Sequence, residues 1–290
     1  MQPNREPGGG TQSVERALSI LRAFTDEAPA RRISELIQLT GLGQSTVSRL
    51  VGTLESLGFL TQDAHTGLYQ IGQTVVGLAG IALNQSPLHN QARQIAQDLA
   101  FEHSCGVNVA ERTGDKFMYL CHFEGRPMAR SVTLVGRTGP LHATAIGKAM
   151  LLDMSAAEIE LLVGQKFDVY TAKTIPTLDA LLDTLDESRR RGYTSEVEEL
   201  ALGRACIAAP VRDRTGEIVG ALSVGGPLSV IGEPARQPEL AGLVLDATDR
   251  ISSGLGYHGI PAPQQPLRST PPERGRSRRA APKARAAEGA

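Results

Sequence analysis

The chain has 290 residues, 41% hydrophobic and 21% charged, with a formal net charge of −1. At roughly 100–200 residues per domain this predicts two domains with cores of ordinary composition. No apolar run approaches the roughly 18 residues that cross a bilayer, and the start MQPNREPGGGTQ lacks the basic-then-apolar order of a signal peptide. The expectation is a cytoplasmic protein with no membrane partner.

Residues 1–12 read as a disordered N-terminus. From Ser13 to Thr25, Val14, Ala17, Leu18, Leu21 and Phe24 form one stripe of an amphipathic helix. A second helix is expected from Ser34 to Thr40, with Ser34 as N-cap, Ile33 as a hydrophobic staple and Gly41 at the left-handed stop. A third runs from Gln44 to Gly58, with Val47, Leu50, Val51, Leu54 and Leu57 on its apolar side. Helix, glycine turn, helix is the helix-turn-helix arrangement. Two β-prone runs, Phe59–Gln62 and Leu68–Ile71, joined through Asp63–Gly67, predict a hairpin. Residues 13–72 therefore read as a winged helix.

Residues 73–86 predict a linker helix, apolar over a wide arc and so expected to be buried against a second subunit or the next domain. Ser86-Pro87 opens a helix to about Glu102. GVNVAER, KFMYLCHFE and MARSVTLV read as strands. Helices follow from Thr144 to Leu152, from Ser155 to Val163 (SAAE forming a capping box) and from Thr177 to Arg191 with Gly192 as cap. Strands CIAAPVRD and EIVGALSVGG and a helix from Glu239 to Leu255 close an α+β domain with an antiparallel sheet over 87–258. Residues 259–290 are rich in Pro, Arg and Ala, with seven basic and two acidic side chains. They read as a disordered basic tail, either a solvated arm or a nonspecific contact for nucleic-acid phosphates.

A helix entering a major groove needs short, hydrogen-bonding residues on its outer face. Gln44, Ser45, Thr46, Ser48 and Arg49 meet that need, and Arg16 is among the arginines available to phosphates. Residues 1–80 nevertheless carry six basic and seven acidic side chains, so the usual positive footprint is missing. Dimerisation on double-stranded DNA is the expected remedy.

Enzymatic signatures are thin. GPLHATAIGK ends like a phosphate loop, but His142 stands where the first glycine belongs and Ala149 where magnesium needs Ser or Thr. Cysteines Cys105, Cys121 and Cys206 fit a reducing compartment rather than a disulfide framework. A metal site from Cys105, Cys121, His122 and His142 is a weaker reading than core thiols and surface imidazoles. No catalytic residue, metal or cofactor is assigned and the chain is read as a non-enzyme. The alternative is a small-molecule-sensing or thiol-dependent enzyme domain using Cys206, with a winged helix that contacts protein.

SVERALSILRAF, GLGQSTVSRLVGTLESLGFL, the wing ending GLYQIG, PLHATAIGKAML, and RRGYTSEVEELALGRACIAAPVRD followed by GALSVGGP occur in that order. Together, from about Ser13 to Leu255, they resemble the isocitrate lyase regulator (IclR) family of bacterial transcription factors. The resemblance implies a winged helix-turn-helix, a linker helix and a GAF/PAS-like effector domain that binds a small metabolite, a carboxylate or aromatic acid. It also implies dimers or dimer pairs on palindromic operators, with repression the expected sign. Carried over by position, effector contacts fall on Ala145 and Ile146, whose amides open a helix, and on Glu196, Cys206, Ser223 and Gly225, with Met128 as a wall. The chain departs from the family pattern at Glu196 (commonly Asp), Ile146 (commonly small), Gly225 (a serine position) and Arg212 (aromatic or His).

Overall fold

The computed structural model describes residues 9–125, 133–233 and 235–259. The first unit runs α1 (Gly9–Arg22), β1 (Ala30–Arg31), α2 (Ile33–Thr40), α3 (Gln44–Ser56), β2 (Leu60–Gln62) and β3 (Tyr69–Ile71), and α4 (Gln73–Gln85) leads out of it. Its core joins Ile20 of α1, Leu36 of α2 and Val47, Leu50, Val51 and Leu54 of α3 to Leu60 and Tyr69 of the wing. The wing is a three-stranded antiparallel sheet, β1-β3-β2, because Ala30–Arg31 adds an edge strand too short to signal itself in sequence. At the wing's turn the Asp63 carboxylate accepts the amides of His65 (2.9 Å) and Thr66 (2.8 Å).

Several expectations for this unit change. Helix α1 starts at Gly9, inside the stretch read as disordered, since a helix packed at Ile20 propagates backward at one hydrogen bond per residue. Its buried stripe is rotated: Ile20 is fully enclosed, whereas Val14 and Leu18 are exposed. Ser34 is not the cap of α2; the helix begins at Ile33, and Glu35 reaches back to the amide of Arg32 (2.7 Å). Gly41 closes α2 at φ +68°, a left-handed conformation that costs a side-chain-bearing residue energy. Leu57, expected on the apolar stripe, is 60% exposed, because α3 ends at Ser56 and the chain turns through Gly58. Helix α4 buries none of its residues, and Val76, Leu78 and Ile81 face outward.

The second unit comprises α5 (Pro87–His103), β4 (Gly106–Thr113), β5 (Lys116–Phe123), β6 (Thr138–Pro140), α6 (Ala145–Ala149), α7 (Ala156–Val163), α8 (Leu178–Arg191), β7 (Thr194–Val197), β8 (Arg204–Arg212), β9 (Ile218–Pro227), α9 (Leu228–Ile231) and α10 (Gln237–Gly254). Caps set the helix starts: Ser86 accepts the amide of His89, and Ser155 exchanges bonds with Glu158 in the expected capping box. The strands pair antiparallel in the order β6-β5-β4-β9-β8-β7. One face, with Val107, Val109, Ile207, Leu222 and Val224, packs on α5 and α10. The other, with Ala110, Ala208 and Ala221, faces α6, α7 and α8.

The strand read from MARSVTLV lies largely outside the described residues, Met128 included; Thr133–Val135 are not strand, and β6 takes the sheet edge. Strand β7 escaped the sequence reading because its inward residues, Thr194 and Glu196, are polar, which inverts the hydropathy alternation. Among the described residues no helix is long and apolar enough to cross a membrane.

Candidate functional site

Two surfaces stand out, one in each unit. On α3, Val47, Leu50, Val51 and Leu54 are buried in the helical core, which fixes the roll of the helix. That roll turns Gln44, Ser45, Ser48 and Arg49 outward, with Thr46 half-buried at the rim. Arg49 has no ion pair among the described residues. Arg31, by contrast, is engaged by Glu35 (3.6 Å) and the carbonyl of Ala23 (3.3 Å). Arg16 is half-buried on α1, where the Ser19 hydroxyl donates to its carbonyl (2.8 Å), and its guanidinium has no ion pair among the described residues.

In the second unit a cavity of about 860 Å³ opens between the sheet and the α6 side of the domain. Strand register builds its floor in rows. His122, Asn108, Ser223, Ala208 and Thr194 are successive cross-strand partners in one row. Gly106, Gly225, Cys206 and Glu196 form the next. Side chains two apart on a strand share a face, so both rows point to the cavity side. The Thr194 hydroxyl donates to the carbonyl of Ala145 (2.7 Å), pinning the start of α6 over the floor. Thr144 caps that helix by accepting the amide of Gly147 (3.0 Å).

Charged side chains of both signs line the cavity. Glu196 accepts the amides of Glu199 (2.7 Å) and Leu200 (3.3 Å), which organises the loop after β7. Burial nevertheless raises its pKa, outweighing those amides and Lys148. Lys148 of α6 is fully enclosed and donates to both carboxylate oxygens of Glu199 (2.6 and 2.9 Å). Burial lowers the pKa of this lysine and raises that of its partner, so desolvation outweighs pairing on both sides. At the far wall His142 stacks on Phe167 (centroids 4.6 Å apart) and Tyr170 (5.9 Å), and its Nε2–H donates to the carbonyl of Asp168 (3.0 Å). Lys116, Arg137, Lys166 and Arg204 line the cavity together with the acidic Asp115, Glu124, Asp168 and Glu196.

Of the residues expected at an effector pocket, Ala145, Ile146, Glu196, Cys206 and Ser223 line this cavity, and Met128 lies outside the described residues. Gly225 does not line it. A Cβ there would meet the Cys206 sulfur at 2.6 Å, so the missing side chain makes room for the thiol. Arg212 is not in the cavity either; it pairs with Asp153 and donates to the carbonyl of Gly216 (2.8 Å). Burial, followed by the charge of Glu196, pushes the Cys206 thiol up to about 12, which leaves it protonated and a poor nucleophile at neutral pH. Cys105 and Cys121 belong to the opposite core, so they cannot join His122 and His142 around one metal ion. Sequence reasoning missed Asn108 as a lining residue; its only signal is the cross-strand register that sets it beside Ser223.

The two units meet at Arg137. It lines the cavity, and its Nε lies 2.6 Å from a carboxylate oxygen of Asp26, in the loop after α1. A second cleft of about 660 Å³ runs along this joint between Phe24, Gln70 and Ile71 on one side and Thr133 and Val135 on the other.

A winged helix presenting a polar helix face, tethered by one helix to a sheet domain that holds a small-molecule cavity, defines a one-component, ligand-responsive transcriptional regulator. The sequence model of the IclR helix-turn-helix domain matches residues 13–64, and that of the bacterial transcriptional regulator IclR C-terminal domain matches residues 81–253. The chain belongs to the IclR family of transcriptional regulators. It is 30% identical over 250 residues to the HTH-type transcriptional regulator XynR of Escherichia coli K12, covering 85% of this chain and 98% of XynR. It is likewise 30% identical over 253 residues to the transcriptional repressor AllR of the same strain, covering 87% of this chain and 93% of AllR. The crystal structure of an IclR homologue from Microbacterium hydrocarbonoxydans complexed with 4-hydroxybenzoate superposes with a TM-score of 0.72 at 22% identity, covering 84% of this chain and 98% of that one.

Proposed function

We propose that this regulator is a cytoplasmic repressor that binds a palindromic operator as a dimer or dimer pair and releases it when an organic acid fills the cavity. The DNA-reading unit is residues 13–72, the linker 73–86 and the effector unit 87–258; residues 260–290 of the basic tail lie outside the described residues. Gln44, Ser45, Thr46, Ser48 and Arg49 are assigned to the major groove and Arg16 to the backbone. The exposed apolar side chains of α4 favour a second copy of the chain as their cover. A dimer places two α3 helices in successive grooves and supplies the affinity that a unit with little positive charge lacks alone. Ala145, Ile146, Glu196, Cys206 and Ser223 are assigned to the effector.

The observation that carries the acid assignment is the presence of four cationic side chains in the cavity lining, Lys116, Arg137, Lys166 and Arg204, of which only Arg137 is ion-paired among the described residues. A cation without an ion pair attracts an anion. Arg137 gives the signal a route, since an acid drawn to its guanidinium competes with Asp26 of the DNA-reading unit. A partly exposed ion pair is worth only about 0–1 kcal/mol, whereas regulatory couplings run at about 1–3 kcal/mol. That pair therefore supplies part of the coupling, and the repositioning of α6 and the joint supplies the rest.

The test is operator binding by purified protein. Arg49→Ala is expected to weaken specific binding by roughly 5- to 150-fold, the equivalent of about 1–3 kcal/mol for one base contact, with the fold intact by circular dichroism. Unchanged operator affinity removes α3 from the interface and ends the proposal.

A further inference from the structure

Phe117 and Tyr119, two apart on β5, share the face of the sheet that lines the cavity. Phe117 is fully enclosed and takes the ring of Tyr119 edge-on, with centroids 4.9 Å apart at 77°. The backbone of Tyr119 is held as well: its amide donates to the carbonyl of Arg137 (2.9 Å), and its carbonyl accepts the amide of Gly136 (2.9 Å). Across the sheet its row continues through Ala110 and Ala221, whose methyl side chains leave space beside the ring. Ring and backbone are thus fixed, yet the hydroxyl makes no hydrogen bond among the described residues. Nor is it sealed. The side-chain atoms there that are both sealed and without a partner are His122 Nε2 and Arg137 Nε. The oxygen of half-buried Tyr119 therefore keeps accessible surface, and the cavity is what it opens on.

Its surroundings define what can meet it. Burial, above all, holds the pKa of this phenol above its ordinary value, so the O–H is retained and can be given. The charge of Arg204, a cavity-lining side chain with no ion pair among the described residues, reaches both this phenol and the Cys206 thiol. Glu196 acts on the same two groups with the opposite sign, but its carboxylate is already engaged by the amides of Glu199 and Leu200. A neutral donor in the field of an unpaired guanidinium is complementary to a carboxylate oxygen, and the bond between them is charge-assisted. An alkyl group in that place leaves the donor unmade.

We propose that Tyr119 is an effector-contacting residue whose phenol donates a hydrogen bond to a carboxylate oxygen of the bound acid, with Arg204 supplying the positive charge. This rests on the reading of the cavity as an organic-acid site. It seats the acid group against the strand whose backbone holds Gly136 and Arg137.

The experiment titrates benzoate, 4-hydroxybenzoate, hexanoate and 6-hydroxyhexanoate into the full chain by calorimetry, comparing the wild type with Tyr119→Phe and Arg204→Gln. Tyr119→Phe should weaken every acid that binds by a similar factor, roughly 10- to 150-fold, the range for a hydrogen bond to a charged group. Its melting temperature without ligand should not fall, because the hydroxyl has no partner to lose; a phenol kept for structure predicts a drop and overturns the contact. Arg204→Gln should weaken the same acids and flatten their salt dependence; unchanged affinity there removes Arg204 from the site. The chain has five tyrosines and no tryptophan, so a bound aliphatic acid, transparent in the near ultraviolet, should shift the tyrosine absorption band of the wild type, and the shift should vanish in Tyr119→Phe. A band unmoved at saturation overturns the contact whether or not the variant folds. If acids bind and Tyr119→Phe matches the wild type within twofold, the contact is refuted while the acid cavity stands. A loss confined to the hydroxyl-bearing acids gives the phenol to the substituent and overturns its assignment to the acid group. If no acid of either series binds, the acid reading itself fails, and the contact with it.

Discussion

Replacing Lys148 by methionine removes the cation from an enclosed ion pair and leaves Glu199, whose side chain is 13% exposed, as a buried carboxylate without its partner. Breaking a buried pair from one side costs about 3–5 kcal/mol, because the surviving charge keeps its desolvation penalty and loses its compensation. For a domain of this size each kcal/mol moves the melting temperature by roughly 2–4 °C, so Lys148→Met should lower it by roughly 6–20 °C. The pH signature follows from the direction of the shift at Glu199, which burial has already raised above its ordinary value. A raised carboxyl is at ease while protonated, so its contribution is full below the usual glutamate range and is lost as pH rises through the folded value. The defect in Lys148→Met should therefore be smaller near pH 5 than near pH 8. Because desolvation outweighs pairing on both partners, the double variant Lys148→Met/Glu199→Leu should recover most of the loss. Urea and thermal denaturation followed by circular dichroism, run as a double-mutant cycle, measure all three quantities. A single-variant cost below about 1 kcal/mol, or a double variant as unstable as the two singles added, would refute the reasoning.

Three further outcomes are expected. Gly41→Ala should cost about 1–2 kcal/mol from backbone strain alone, since a Cβ there meets nothing within 4 Å, and Gly41→Asn should cost less; equal costs in denaturation would mean that φ is not the constraint. His142 is held below its ordinary pKa chiefly by burial, so its contribution to stability is full above about 6.5 and declines as pH falls through the lower folded value. His142→Gln should remove that part of the acid loss, and an unchanged pH–stability profile in the variant would contradict it. Val76→Asp combined with Ile81→Asp should convert a dimer to monomer in sedimentation while circular dichroism stays unchanged, and a persisting dimer would take α4 out of the interface.

How much of this was legible in the sequence depends on where the information resides. Local devices read cleanly: Gly41 at the end of α2, Ser86-Pro87 opening α5 and the Ser155–Glu158 box are decided by a few neighbouring residues. Periodicity placed α3 and the burial of Val47, Leu50, Val51 and Leu54 but overshot to Leu57, because a helical stripe carries no mark of where the chain leaves the helix. On α1 two stripes compete, and tertiary packing chose the one through Ile20 over the one through Val14 and Leu18. The cavity was legible only through the family resemblance. Its floor is assembled by pairing between strands more than a hundred positions apart, as Asn108 is from Ser223. Where that floor is polar, as in β7, it breaks the very alternation by which strands are recognised.

The six-stranded sheet also bears on how such a regulator changes over time. Its strands assign alternate positions to different surroundings: Val107, Val109, Leu222 and Val224 belong to a closed core, while Asn108 and Ser223 between them line the cavity. A substitution at a cavity-lining position reshapes the cavity without opening a void in the core behind it. Preference for one metabolite can therefore drift into preference for another along viable single steps, each tolerated by the same scaffold. The β-pleat, a consequence of backbone stereochemistry, partitions the chain into residues free to explore and residues obliged to stay.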